Sequence, residues 1–161
     1  MQSSFLSEAE RATLVLLCDT LVPALDAGPG EDARLMALSA SEVNLANIVE
    51  QALAASLDDD GRNEVRRFLR MLEEPAFNGV GSGVWGMFSG LTLEGRTRVL
   101  YGLSMSRIPL VRRAFAGLSR LVLSLFYSLD MTEAPPNPTH AWLNYERHTP
   151  AVRFEEPPVD L

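Results

Sequence analysis

Gly81-Ser82-Gly83-Val84-Trp85-Gly86 matches G-x-G-x-x-G, the pattern in which glycines let a backbone approach a dinucleotide's pyrophosphate. That chemistry also needs a strand before the motif, a helix after it, and an acid about 20 residues on to hold the ribose. Here a Glu-Glu-Pro-Ala-Phe stretch precedes it, Gly90 interrupts the segment after it, and no acid lies between Glu94 and Asp130, so the motif reads as a flexible loop. Asp58-Asp59-Asp60-Gly61 fails as a calcium loop in the same way. Aligned on Gly61 at position six, position one is Ser56 and position twelve is Arg67, where a bidentate glutamate is required. A helix stop followed by an N-cap is the better account of the three aspartates.

Metal and nucleophile chemistry fare no better. His140 and His148 could join Glu146 as ligands, but they sit on a proline-interrupted stretch rather than at i, i+4 on a helix, and read as surface histidines. Cys18 is the only cysteine, so it closes no intramolecular disulfide and holds no iron–sulfur cluster or structural zinc. Its neighbours Leu17 and Asp19 supply no positive charge to activate a thiolate, and there is no Gly-x-Ser-x-Gly elbow. The expectation is therefore no catalytic residue, no cofactor-binding residue and no metal ligand in this chain.

Residues suited to holding another protein are more prominent. Arg107, Arg112, Arg113 and Arg120 are interleaved with leucines and accompanied by no lysine, which favours ion pairs to the acidic N-terminal third or across an interface over nucleic acid. Trp85, Phe88, Trp142, Tyr145 and Phe154 fall outside the clear helices. They either pack on the chain's own helices or anchor a partner, since Trp, Tyr and Arg carry much of the energy at interfaces. The candidate partner contacts are Trp85, Phe88, Arg107, Arg113, Trp142, Tyr145 and Phe154.

The elements that must position these residues are helical. Ser7 and Glu10 form a capping box ahead of the apolar run Leu14 to Val22, giving a first helix that stops near Pro23. Residues 25–31, with Gly28-Pro29-Gly30, read as a loop. Ser41 opens a second helix through Val49 and Leu53 that breaks at Asp58. A third carries Val65, Phe68, Leu69 and Leu72 and ends by Pro75. Residues 78–90 form a glycine-rich connection that leaves Trp85 and Phe88 exposed. Thr92 caps a fourth helix with Val99, Leu100 and Leu103 on one face. Pro109 suits the first turn of a fifth, which runs to about Leu129 and becomes apolar nearly all round after Arg120. Such a helix is either central in the fold or covered by another protein.

The expected architecture is all-α: a bundle of about five helices over 1–129 and an extended, proline-rich, partner-wrapping tail over 130–161. The prolines from Pro135 to Pro158 forbid a long helix in that tail. At 161 residues and 47% apolar, the chain has enough material for a core without metal or disulfide. A net charge of -7 argues against non-specific nucleic-acid binding, although residues 61–129 hold 10 arginines and 4 acids between two acidic ends. All basic residues are arginine, which suits bidentate ion pairs but would also follow from a high-GC genome. No apolar run approaches the roughly 20 residues of a membrane span. The first residues do not read as a secretory signal, so the expected compartment is the cytoplasm, with the periplasm as alternative.

Two segments resemble a known family. Phe5-Leu6-Ser7-Glu8-Ala9-Glu10-Arg11 with Leu17-Cys18-Asp19-Thr20-Leu21-Val22-Pro23 is similar to the opening of the gluconate 2-dehydrogenase subunit 3 family, a pattern shared with the start of some long-chain alcohol oxidases. Leu91-Thr92-Leu93-Glu94-Gly95-Arg96, with Leu100, Leu103, Ser106, Pro109, Arg113, Phe115, Leu118 and Phe126-Tyr127, is similar to its later helical pair, and Trp142 with Tyr145 to its closing aromatics. Residues 24–80 carry little of the likeness.

The resemblance implies a non-catalytic small subunit bound to a large flavoprotein of the glucose–methanol–choline oxidoreductase type, which carries the FAD and oxidises a sugar or alcohol hydroxyl. A cytochrome or other electron acceptor could complete such an assembly. Many family members carry a twin-arginine export signal; here Arg66-Arg67-Phe68-Leu69 lies mid-chain inside a helix pattern instead. The competing expectation is a stand-alone helical domain that binds a small apolar ligand between its helices.

Overall fold

A computed structural model of the chain describes residues 4–31 and 33–129. Every regular element among them is helical: α1 (Glu8–Leu21), α2 (Ala33–Ala37), α3 (Leu45–Ser56), α4 (Asp59–Leu72), α5 (Pro75–Ser82), a 3-10 turn at Phe88–Gly90, α6 (Leu93–Ser104) and α7 (Pro109–Ser128). The all-α class stands as expected. The five helices read from the sequence are α1, α3, α4, α6 and α7, to which the structure adds α2 and α5. The tail from 130 onward, with Trp142, Tyr145, Phe154 and both histidines, lies outside the described residues.

Local capping explains most helix starts. Ser7 Oγ accepts from Glu10 N–H while Glu10 accepts from Ser7 N–H at 2.8 Å. Asp58 accepts from Gly61 N–H at 2.9 Å and opens α4, and Thr92 accepts from Gly95 N–H at 3.2 Å and opens α6. Pro109 occupies the first turn of α7, where its missing N–H leaves nothing unpaired.

Three expected boundaries move, each for a visible reason. Ser41 does not cap α3, because Asp19 on α1 accepts both its N–H at 2.9 Å and its hydroxyl at 2.6 Å. The helix begins four residues later, after Asn44 in the left-handed region at φ 50°, a conformation asparagine tolerates. Pro75 does not merely end the third helix; it starts α5 from the first-turn position. The expected glycine-rich connection therefore begins as a helix, which Gly83 ends at φ 75° with its N–H donating to Gly79.

The centre of the fold belongs to α1, which packs against α3, α4, α6, α7 and the 3-10 turn. Leu14 and Leu17 are wholly buried there. The long α7 is not buried all round. It turns Val111, Phe115, Leu118, Val122 and Phe126 inward at spacings of four, three, four and four, one stripe of a regular helix. Leu121, Leu123 and Leu125 are half-buried and Tyr127 is exposed.

The crossing of α5 on α6 is the tightest point in the bundle. A Cβ on Gly102 would lie 2.6 Å from the Gly81 carbonyl oxygen and 2.8 Å from Ser82 Cβ. Gly102→Ala is expected to destabilise the fold by about 2 kcal/mol in urea denaturation, although alanine favours a helix by roughly 1 kcal/mol. Unchanged or raised stability would show that α5 can move aside.

Candidate docking surface

The α5–α6 crossing leaves a groove beside it. The helices approach so closely at Gly81 and Gly102 that their flanking side chains stand up as walls around a cavity of about 680 Å³. Phe77 and Val80 of α5 form one wall, and Met105, Ile108 and Val111 of the α6–α7 corner form the other. A second depression of about 480 Å³ shares Gly81, Gly102 and Met105 with the first and extends to Tyr101 and Arg98. The two make one continuous apolar trough.

Its walls face water. Val80 is 85% exposed and Ile108 58%, with Tyr101 and Met105 also open, while Phe77 and Val111 are more deeply set. Scattered exposed apolar residues are ordinary on a protein surface, whereas a contiguous group around a concavity marks an interaction site. The lining holds no carboxylate, histidine or cysteine among the described residues, and its charges are Arg107 and Arg98. It offers shape, apolar area and positive charge.

The residues expected to contact a partner are distributed unevenly around this trough. Arg107 lines it and is exposed. Trp85 is 70% exposed as expected, with its indole laid against α5 so closely that a Cβ on Gly79 would come within 2.4 Å of the ring. Arg113 is exposed, but two residues past Val111 is about 200° around α7, so it points away from the groove.

Phe88 is a correction. It is 0% exposed, seated by the 3-10 turn in contact with α1, and belongs to the core rather than to any interface.

Sequence alone does not single out Val80, Tyr101, Met105 and Ile108. A signal for Tyr101 and Met105 exists: they are four apart at the α6 end and off the stripe of Val99, Leu100 and Leu103 that faces inward.

A second concavity of about 520 Å³ lies between α1, α4 and the 3-10 turn, lined by Glu10, Thr13, Arg70, Glu73 and Ser89 among others. Most of its polar side chains engage one another. Arg70 Nε donates to Glu10 at 2.7 Å and Arg66 Nε at 3.3 Å. Thr13 donates to Glu73 at 2.9 Å, and Ser89 donates to the other Glu73 oxygen at 2.7 Å. The buried Glu10 carboxylate would be pushed up by burial, but the Ser7 backbone N–H, Arg70, the Ser7 hydroxyl and Arg66 together hold it down at about 2. These contacts staple α4 to α1, which gives them a structural role. Thus, among the described residues, the acidic N-terminal third does receive arginines, but from α4 rather than from the series formed by Arg107, Arg112, Arg113 and Arg120.

Cys18 sits in the core with its thiol pushed up to about 12 by burial and by the adjacent Asp19. Among the described residues, no group of three or more acidic, histidine or cysteine side chains is placed to hold a metal, and no helix is long and apolar enough to cross a membrane. Comparison with protein-family models, curated proteins and solved structures finds no match to this chain.

Proposed function

We propose that this chain is a non-catalytic accessory subunit that holds and stabilises a large FAD-dependent oxidoreductase acting on sugar or alcohol hydroxyls. The observation that carries the docking part is the exposed apolar trough along α5, α6 and the start of α7, walled by Val80, Met105 and Ile108. The partner class rests on the two sequence segments similar to the gluconate 2-dehydrogenase subunit 3 family. Specific interfaces bury about 800 Å² per partner around a central apolar patch, and this trough has the composition for such a centre.

A small apolar ligand is the second reading, favoured by a groove volume inside the roughly 300–1,000 Å³ range of ligand sites. Against it, such sites enclose most of their ligand, while these walls stand open to water.

The deciding experiment is co-expression with a large flavoprotein of this type. The expected result is a stable yellow complex, and Ile108→Glu should weaken it at least tenfold with little change in the chain's melting temperature, because an exposed site tolerates the charge. A wild-type chain that ignores the flavoprotein removes the partner assignment. A complex indifferent to Ile108→Glu removes the groove.

A further inference from the structure

Charge narrows what the trough accepts. Residues 95–129 contain six arginines and no acid. Arg107 and Arg98 border the groove, and Arg112 bends back to donate to the Ser106 carbonyl at 2.7 Å on its rim. Arg98 already has Glu94 at 2.7 Å, whereas Arg107 has no carboxylate partner among the described residues. A matching occupant must bring apolar side chains for the floor and carboxylates for the rim.

One segment of this chain has that chemistry. Trp142 and Tyr145 are followed by Glu146, and Phe154 by Glu155 and Glu156; residues 130–161 as a whole carry six acids and two arginines. Chain length permits the return. The 20 residues of α7 put Ser128 about 30 Å from the groove end of that helix. Trp142 lies 14 residues beyond Ser128, and a chain covers up to about 3.3 Å per residue, so the link can span about 46 Å. A tethered segment also competes at a local concentration on the order of millimolar, enough for modest contacts to keep a site filled.

We propose that residues 142–156 of this same chain occupy the α5–α6 groove in the free protein and vacate it when a partner docks. The proposal rests on the groove being the docking surface. It makes partner binding a competition with the tail for the same apolar walls.

The test is disulfide trapping in the full-length chain. Cys18 is buried and resists oxidation, so an introduced pair is read without interference. Met105→Cys in the groove is combined with Ala141→Cys beside the first aromatic, and mild oxidation is followed by mass and by non-reducing electrophoresis. The control pairs Ala141→Cys with Arg113→Cys, on the opposite side of α7. The expected result is an intramolecular disulfide to position 105 formed at least tenfold faster than to position 113, with that advantage abolished by adding Trp142→Ala. Equal rates overturn the proposal, as does a disulfide that links two molecules. Trapping without flavoprotein binding rejects the proposed partner and keeps the tail in its groove. Flavoprotein binding sensitive to Ile108→Glu but without trapping rejects the tail and keeps the docking surface.

Discussion

Phe88→Ala is expected to cost about 3–5 kcal/mol of folding stability, the usual range for deleting a buried phenylalanine. Phe88 is 0% exposed and the 3-10 turn carrying it packs on α1, the central helix, so the deletion opens a void that α1 cannot close without moving. With total stabilities of about 5–15 kcal/mol for ordinary domains, that loss would leave a marginal fold. Three residues away, Trp85→Ala should change stability by less than about 1 kcal/mol, because its indole is mostly in water. Urea denaturation of the two variants checks the contrast. Similar small losses would mean that Phe88 is not part of the core, and similar large losses that Trp85 is.

These two aromatics show where sequence reasoning reaches and where it stops. Ser7, Asp58, Thr92 and Pro109 act on backbone groups within three residues, so their helix starts are legible from local spacing alone. Phe88 stands between Gly86 and Gly90 with no periodic neighbours, and a long-range tie buries it. Ser89 donates through both its N–H and its hydroxyl to Glu73 on α4, which pulls the turn inward. Ser41 misleads for the same kind of reason, since the competing acceptor Asp19 is 22 residues away. In α5, three of eight residues are helix-disfavouring glycine or proline, yet Asn78 pins the helix from its buried side by donating to the Leu72 and Gly86 carbonyls at 2.7 and 2.8 Å.

The groove is half legible. Arg107 and the exposure of Trp85 follow from composition and spacing. The walls do not, because they exist only where α5 and α6 touch at Gly81 and Gly102, a contact between residues 21 apart in sequence. Taken as a motif, Gly81 and Gly83 suggest phosphate binding. In the fold, a Cβ on Gly81 would meet nothing within 4 Å, Gly83 ends α5 in the left-handed region, and the glycine that admits the neighbouring helix is Gly102, outside the motif.

Glu10→Gln is expected to destabilise the chain by about 3 kcal/mol near neutral pH, the lower end of the range for removing one partner of a buried ion pair. The lower end applies because Arg66 and Arg70 keep access to water and can rehydrate when the carboxylate is gone. The same carboxylate sets an acid dependence. Its pKa falls from an ordinary 4.5 to about 2 on folding, so the unfolded chain binds the proton more tightly. The stability from this group is therefore complete above about pH 5 and drains away as pH falls toward 2. Glu50, also lowered, acts in the same sense: burial opposes ionisation there, and Arg11 and Ser4 outweigh it. Melting temperatures measured from pH 7 to pH 2.5 should fall steeply for the wild type and less steeply for Glu10→Gln, so that the two curves converge in acid. Parallel curves would show that folding leaves the Glu10 pKa unshifted, and would take from the α1–α4 junction the ionic stabilisation assigned to it.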